Sequence, residues 1–151
     1  MKRSFGMVWL VGLTAFFSLN SFVADDQTGL VKDVFTETNQ FRKSQGLVLL
    51  IMQEDLNLIA QKHSEDMASG RVAFGHDGFD HRYVLAGNKI TDMHGFAENV
   101  ALGPVTGKEV VTMWKNSSGH RVNMMGQYRF IGIGIAKDKD GSIYYTQVFG
   151  G

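Results

Sequence analysis

Two apolar segments joined by a short polar turn stand near the end of the chain, and this pattern constrains the fold more than any other feature. Residues 131–136 and 143–149 consist mainly of isoleucine, valine, glycine and aromatic residues. Residues 137–141 (KDKDG) have the composition of a turn. The pattern predicts an antiparallel β-hairpin, whose apolar faces other elements must cover.

Glycine alternates with isoleucine in the first segment of this hairpin. Gly132 and Gly134 are two residues apart, so they share one face of a strand. A strand with glycine on one face indicates that another element lies unusually close to it. We therefore predict tight packing there, and not a dinucleotide-binding loop, because no helix follows.

Helical spacing appears in three other stretches. Residues 30–45 place apolar side chains on one face, and residues 56–69 do so between Asp55, a capping residue, and Gly70. Thr106 and Glu109 form a capping box for a third helix, which ends near Asn116. Residues 47–52 predict a buried strand or an extended segment, and residues 70–105 predict a long functional loop. The whole pattern predicts an α+β fold with helices layered on an antiparallel sheet.

The N-terminus has the features of an export signal. Lys2 and Arg3 precede an apolar stretch, residues 7–17, and a small residue, Ala24, offers a cleavage position. We predict a signal peptide over residues 1–24, a polar leader over 25–30 and one domain over 31–151. The expected location is periplasmic or extracellular, with no transmembrane domain after processing. The alternative is that the apolar stretch is retained as an anchor.

Charge and cysteine content narrow the possible partners. The chain has 15 basic and 15 acidic residues and no cysteine. A neutral balance gives no basis for binding nucleic acid or an anionic membrane. The lack of cysteine excludes disulfides and a lipid-modified cysteine. We expect a monomer whose partner is not nucleic acid.

Histidines and one glutamate are the candidate functional side chains. His63 falls on the buried stripe of the second helix, which favours a core histidine. His76 lies in a glycine- and aspartate-rich loop, where it either does acid–base or metal chemistry or is simply solvated. Glu98 lies between apolar residues, and His120 follows a polar break in the third helix. Spacing alone does not bring these last three residues together.

Ordered motifs along the chain resemble those of the CAP superfamily, also called the SCP-domain group. This group is named for cysteine-rich secretory proteins, antigen 5 and pathogenesis-related 1 proteins. The resemblance is to bacterial exported members and extends from about Val31 to Gly150. It rests on these segments: residues 56–67, 74–76 (FGH), 97–101 (AENVA), 114–124 (WKNSSGHRVNM) and 144–150 (YYTQVFG).

The resemblance implies a three-layer α-β-α sandwich with a central antiparallel sheet and a shallow cleft. Many members line that cleft with two histidines and two glutamates, which correspond here to His76, Glu98, Ser117 and Tyr144. The bacterial Trp-x-x-Ser-x-Gly-His-Arg motif adds His120 to the cleft. The residues expected to support the site are Asn99, Trp114, Arg121, Asn123 and Gln147.

Three functions are compatible with such a cleft. The first is an exported module that binds a small apolar or peptidic ligand or an envelope component. The second is a cell-envelope hydrolase that uses His76, Glu98 and His120, with or without a metal ion. The third is a purely structural polar cluster. The chain has no cysteine nucleophile, and Ser117 and Ser118 lack the Gly-x-Ser-x-Gly context of an activated serine.

We therefore favour binding over catalysis. A cofactor is not expected to be required. Two imidazoles, His76 and His120, could bind zinc weakly.

Overall fold

The computed structural model describes residues 18–151, and this part of the chain contains five helices and four strands. Residues 1–17, which hold most of the predicted signal peptide, lie outside the described residues. Within the described part, no helix combines the length and apolar character that crossing a membrane requires. The elements are α1 (Ser18–Ser44), β1 (Ile51–Met52), α2 (Glu54–Ala68), α3 (Phe79–Gly87), β2 (Phe96–Leu102), α4 (Gly107–Asn116), α5 (Ser118–Met125), β3 (Phe130–Lys137) and β4 (Ile143–Gly150).

The strands form one mixed sheet in the order β1-β3-β4-β2. β3 and β4 form the predicted hairpin, and they pair from Phe130 with Gly150 to Lys137 with Ile143. β2 lies antiparallel on the other side of β4. β1 adds only a two-residue parallel pair to β3, so the sheet is antiparallel except at this edge.

Helices cover both faces of the sheet, which confirms the three-layer sandwich. On one face, α1, α4 and α5 bury Val34, Trp114 and Met124 against the isoleucines of β3. On the other face, α2 and α3 bury Leu56, Ala60 and Ala86 against Val148 of β4. The strands therefore send alternate side chains into two separate cores.

The predicted close contact at β3 is confirmed, and its partner is α2. A methyl group on Gly134 would overlap the backbone of Ala60, and one on Gly132 would overlap the backbone of Leu56. The side chain of Gln61 also accepts from Ile135 N–H at 2.9 Å and donates to its carbonyl at 3.0 Å. This polar pairing satisfies backbone groups on the side of β3 where β1 has already ended.

The prediction of a long loop over residues 70–105 is wrong, because this region contains α3 and β2. α3 is only nine residues long and begins after Gly78, whose φ is 79°. β2 is almost wholly buried, but its centre carries the polar pair Glu98 and Asn99. These polar residues interrupt the apolar run by which a buried strand is recognised.

The apolar run at residues 47–52 does not form a buried strand, which was one of its two predicted alternatives. Only Ile51–Met52 form a strand, and Val48 and Leu49 are exposed. The side chain of Asn39 in α1 pairs with both backbone groups of Leu50, at 2.8 Å and 3.0 Å. Because Asn39 occupies these groups, the outer edge of β1 is closed at this point to a further strand.

Two helix predictions also need correction at their ends. Residues 25–30, predicted as a separate polar leader, continue α1, and Leu30 packs against the core. The polar segment after Trp114 does end α4 at Asn116, as predicted, but a second helix, α5, begins at Ser118. The predicted capping box of Thr106 and Glu109 is present.

Candidate functional site

Glu98 lies in the middle of β2 with a fully buried carboxylate. Its pairing with Val148 places its side chain on the sheet face that α2 and α3 cover. Arg82 of α3 donates Nε to Oε2 at 2.6 Å and Nη2 to Oε1 at 2.7 Å. This two-point pairing compensates for burying both charges.

His76 contacts the same carboxylate from the loop that precedes α3. Its Nδ1 lies 2.9 Å from Glu98 Oε1, and half of its side chain (50%) is exposed. An ionised carboxylate only accepts, so Nδ1 carries the proton of this hydrogen bond. Nε2 forms no hydrogen bond with the described residues, and in the neutral ring it is a free acceptor.

The loop around His76 is held from two sides. His63 Nε2 lies 2.9 Å from the carbonyl of Gly75, and Arg82 Nη1 donates to the carbonyl of Asp77 at 2.8 Å. Gly75 has a φ of 148°, a conformation that favours glycine. The position of the His76 ring is therefore fixed by α2, α3 and β2 together.

His63 is buried in α2, as predicted, but it also belongs to this cluster. Its Nε2 lies 3.9 Å from Glu98 Oε1. Burial lowers the pKa of His63, and the charges of Arg82 and His76 lower it further, although the bond to Gly75 opposes the shift. The ring is therefore held neutral at neutral pH.

Arg82 was not predicted from the sequence, although its position in the sequence contains a signal. Arg82 lies three residues after Phe79 and four before Ala86, so it shares the buried face of α3 with them. A charged residue on an apolar helical stripe indicates a buried partner of opposite charge. That signal was lost because the segment was interpreted as a loop.

Asn99 points to the opposite face of the sheet and connects β2 to α5. Its Nδ2 donates to the carbonyl of His120 at 3.2 Å and to Gln147 Oε1 at 3.1 Å. Asn123 of α5 donates to Asn99 Oδ1 at 2.9 Å and to the carbonyl of Glu98 at 3.0 Å. The backbone of Glu98 is thus tied to α5, while its carboxylate is tied to α3.

His120 lies in the first turn of α5 and is partly buried. Its Nδ1 is the single buried side-chain polar atom without a hydrogen-bond partner in the described part of the chain. Burial lowers the pKa of His120, and the charge of His76 lowers it further. The two imidazoles therefore lie within electrostatic reach of one another.

Trp114 and Arg121 both lie near the α4–α5 junction. Trp114 contributes its buried side chain, whereas Arg121 contributes its backbone. Trp114 is fully buried and donates Nε1 to the carbonyl of Val100 at 3.2 Å. Ser117, partly exposed, separates α4 from α5, and its carbonyl accepts the backbone N–H of Arg121 at 2.8 Å. The Arg121 side chain is exposed and makes no hydrogen bond or ion pair with described residues, so only its backbone braces the turn.

Tyr144 lies on β4 and contacts the aromatic residue at the start of the His76 loop. Its ring meets that of Phe74 edge to face, with centroids 6.4 Å apart. Phe74 is half exposed (51%), and Tyr144 is partly exposed. This pair places apolar surface two residues from His76 along the chain.

The model of the CAP family, described as the cysteine-rich secretory protein family, matches residues 35–149. That range runs from α1 to one residue before the end of β4 at Gly150, and it includes every residue of the site described above. The chain belongs to the CAP family. The resemblance seen in the sequence motifs is thereby confirmed.

Two Bacillus subtilis proteins are related to this CAP domain. YkwD is 35% identical over 126 residues, which cover 79% of this chain and 46% of YkwD. The membrane protein YlbC is 30% identical over 128 residues, which cover 82% of this chain and 35% of YlbC. The chain spans less than half the length of these relatives.

Solved structures of bacterial CAP proteins share the fold. An extracellular SCP-domain protein of Bacillus anthracis is 29% identical, with a TM-score of 0.68 over 82% of this chain and 40% of that chain. A cysteine-rich secretory protein of Staphylococcus aureus is 26% identical, with a TM-score of 0.68 over 82% of this chain and 38% of that chain. An outer surface protein of Borrelia burgdorferi, 21% identical with a TM-score of 0.65 over 79% of this chain and 90% of that chain, shares the fold alone.

The donor atoms of this CAP domain fit a zinc site poorly. Both carboxylate oxygens of Glu98 are occupied by Arg82 and His76. Among the described residues, no group of three or more His, Asp or Glu side chains is placed to hold a metal ion. His76 and His120 remain as two imidazole donors, whereas a catalytic zinc has three protein ligands. Weak zinc binding by these two residues stays a prediction.

Proposed function

We propose that the chain is an exported binding module in which His76 forms the centre of a ligand-binding surface. The observation that carries the proposal is the pairing of an exposed imidazole with a buried carboxylate. Glu98 holds Nδ1 and leaves Nε2 as a fixed acceptor on the half-exposed side of the ring. A ligand with an N–H or O–H group can bind such an acceptor without reorganising it.

The surroundings of His76 favour a ligand that also has an apolar part. Phe74 and Tyr144 offer aromatic surface next to the loop, and Phe74 is half exposed. Aromatic side chains provide most of the contact energy in many recognition sites, while a few polar groups orient the ligand. A small apolar or peptidic ligand satisfies both requirements.

His120 is the second polar group that we assign to this surface. Its Nδ1 is fully buried, so the atom that we propose for ligand contact is Nε2 of the partly buried ring. Ser117 lies at the junction between α4 and α5, three residues before His120. We propose these residues as secondary contacts and His76 as the principal one.

Export rests on the sequence and on the relatives. The N-terminal pattern of Lys2, Arg3 and the following apolar stretch is that of a signal peptide. The similar proteins include an extracellular one from Bacillus anthracis and an outer surface one from Borrelia burgdorferi. We propose a periplasmic or extracellular location for this chain and a monomeric state.

The alternative function, hydrolysis in the cell envelope, draws support from the same contact. A carboxylate bonded to Nδ1 orients an imidazole as a general base. In the described part of the chain, however, no hydroxyl group forms a hydrogen bond with His76. A hydrolase would therefore have to activate water directly, and we place binding first.

A titration followed by NMR distinguishes these possibilities. The probe is N-acetyl-phenylalaninamide, which combines amide donors with an aromatic ring. We expect saturable shifts at Phe74, His76 and Tyr144 and about fivefold weaker binding in His76→Ala, which corresponds to one hydrogen bond. His94→Ala, which removes another exposed histidine, should bind as the wild type does.

Equal affinity in all three proteins would contradict the proposed role of His76. Hydrolysis of para-nitrophenyl acetate is measured alongside. A rate that falls in His76→Ala but not in His94→Ala would favour the hydrolase instead.

A further inference from the structure

A cavity of about 330 Å³ lies between α2, α3 and the segment that connects them. Ile59 of α2, Leu85 of α3 and Val72 of the connecting segment form its apolar walls. His63 and Arg82 supply polar lining, and His76 does not contribute. The cavity is therefore separate from the surface proposed above, although the two share neighbours.

His63 offers one unused hydrogen-bonding atom next to this cavity. Its Nε2 is bonded to the carbonyl of Gly75, and since a carbonyl only accepts, Nε2 carries the proton. In the neutral ring, Nδ1 is then an acceptor, and it has no hydrogen-bond partner among residues 27–151.

The His63 Nδ1 atom is not sealed off from solvent. Among the described residues, the one fully buried polar side-chain atom without a partner is His120 Nδ1. His63 Nδ1 must therefore reach open space although the side chain is only 2% exposed. The cavity that His63 lines is the space next to it.

The basic groups of the lining are already paired, which argues against an anionic ligand. Asp77 is the remaining acidic group of the lining, and it is exposed to solvent. Arg82 is bound to Glu98, and Lys62 contacts Asp66 at 2.5 Å. Arg71 also binds Asp66. A neutral ligand leaves these pairs intact, whereas an anion would have to compete with Glu98 and Asp66 for the basic groups.

We propose that this cavity binds a small neutral molecule that has an aliphatic body and one hydrogen-bond donor, such as an alcohol. The aliphatic body contacts Ile59, Val72 and Leu85, and the donor group binds His63 Nδ1. The proposal does not depend on the proposed function of His76. It assigns His63 a binding role that is distinct from its contact with Gly75.

Cyclohexanol and cyclohexanone are matched probes, because they share a ring and only the alcohol donates a hydrogen bond. Binding is followed by the methyl resonances of Ile59, Val72 and Leu85. We expect saturable shifts with cyclohexanol and about fivefold weaker binding of cyclohexanone, the ratio that one hydrogen bond gives. Equal binding of the two probes, or shifts that do not saturate with either, would overturn the proposal.

Two tryptophan variants locate the binding. Leu85→Trp fills the cavity, and Val84→Trp adds the same side chain at an exposed position of α3 that does not line it. Cyclohexanol binding should fall at least about tenfold in the first variant and stay unchanged in the second. Unchanged binding in a folded Leu85→Trp protein would show that the alcohol binds elsewhere.

The tautomer of His63 gives a test without any ligand. Nitrogen-15 chemical shifts of the ring at neutral pH should show a protonated Nε2 and an unprotonated Nδ1. The opposite tautomer would remove the acceptor from the cavity and contradict the proposal. This measurement uses the unmodified protein, so it does not depend on whether a variant folds.

Discussion

Arg82 and Glu98 form a buried ion pair that joins α3 to the centre of β2. Two guanidinium nitrogens contact the two carboxylate oxygens at 2.6 Å and 2.7 Å. The Arg82 side chain is 9% exposed, and the Glu98 side chain has no exposed surface. Because the same carboxylate also binds His76, the ion pair sets the geometry of the surface to which we assign ligand binding.

Removing one partner of this pair should be costly. In Arg82→Met, the Glu98 charge remains buried with only the imidazoles of His76 and His63 beside it. We expect a loss of about 3–5 kcal/mol in the free energy of unfolding, measured by urea denaturation. The double variant Arg82→Met/Glu98→Met should recover much of this loss, because it leaves no unpaired charge.

Lys62 and Asp66 provide the matched control for that experiment. This pair is on the surface of α2, and the Lys62 side chain is 64% exposed. Lys62→Met should lower the free energy of unfolding by less than about 1 kcal/mol. If Arg82→Met and Lys62→Met lowered the free energy of unfolding by the same amount, burial of the Arg82–Glu98 pair would not explain its contribution to stability.

Local sequence patterns predicted the parts of the fold that depend on residues close to one another in the sequence. The hairpin of β3 and β4, the capping box at Thr106 and the end of α4 at Asn116 all follow from short stretches of sequence. The close approach of another element to β3 was predicted from Gly132 and Gly134 alone, and the structure shows that this element is α2. The pattern of elements predicted helices layered on an antiparallel sheet, and the family resemblance added the three-layer α-β-α order.

The parts that were missed depend on tertiary contacts. β2 was not recognised because Glu98 and Asn99 interrupt it, and each is satisfied only by a partner from another element. Glu98 needs Arg82 of α3, and Asn99 needs Gln147 of β4. A segment that contains polar residues of this kind is interpreted as a loop when the partners of those residues are not known.

The candidate site shows the same limit. His76 and Glu98 were both selected from the sequence, and the structure brings them into contact. Arg82 and His63 complete the cluster, yet their roles arise from how α2 and α3 pack on the sheet. Sequence spacing contains no information on that packing.

Gly134 should not tolerate a side chain. In Gly134→Ala, the added methyl group overlaps the backbone of Ala60, and neither strand nor helix can move without disturbing the core. We expect a loss of about 1–3 kcal/mol or more, measured as a lower thermal midpoint. Gly119→Ala is the control, because nothing lies within 4 Å of its added methyl group. Gly119 lies inside α5, so that variant should be neutral or slightly stabilising.

Mild acid should destabilise the protein through His63. Burial lowers the pKa of His63 in the folded state. As the pH falls through the ordinary histidine pKa of about 6.5, the unfolded chain takes up a proton that the folded chain resists. The stabilisation is therefore present above that pH and is lost below it.

The urea midpoint should accordingly be lower at about pH 5.5 than at about pH 7.5, on either side of that histidine pKa. His63→Gln should show a smaller drop, whereas His94→Gln should keep the drop of the wild type. The pKa of His120 is also lowered by burial, so part of the drop should remain in His63→Gln. An increase in stability on acidification would contradict this assignment.

Trp114 and His120 should differ in their contribution to stability. Trp114 is fully buried in the larger core and bonded to Val100, so Trp114→Ala should cost about 3–5 kcal/mol. His120 is only partly buried, and its ring has an unsatisfied nitrogen. His120→Ala should therefore cost much less in the same urea experiment. Comparable losses would indicate that His120 supports the fold and does not belong to a binding surface.

Zinc binding provides the last prediction, and it depends on the two imidazoles that remain available. Because Glu98 is occupied by Arg82, His76 and His120 can provide two ligands at most, which limits affinity to well below that of a structural zinc site.

Only neutral imidazole binds zinc, so affinity should fall as the pH drops through the ordinary histidine range near about 6.5. Isothermal titration at about pH 7.5 and about pH 5.5, on either side of that range, should give weaker binding in acid and in His76→Ala, while His94→Ala matches the wild type. Chelation should leave the thermal midpoint unchanged, since protein groups, Arg82 and His76, hold the Glu98 carboxylate. Identical heats in wild type and His76→Ala would exclude His76 as a zinc ligand and leave its surface with hydrogen bonding alone.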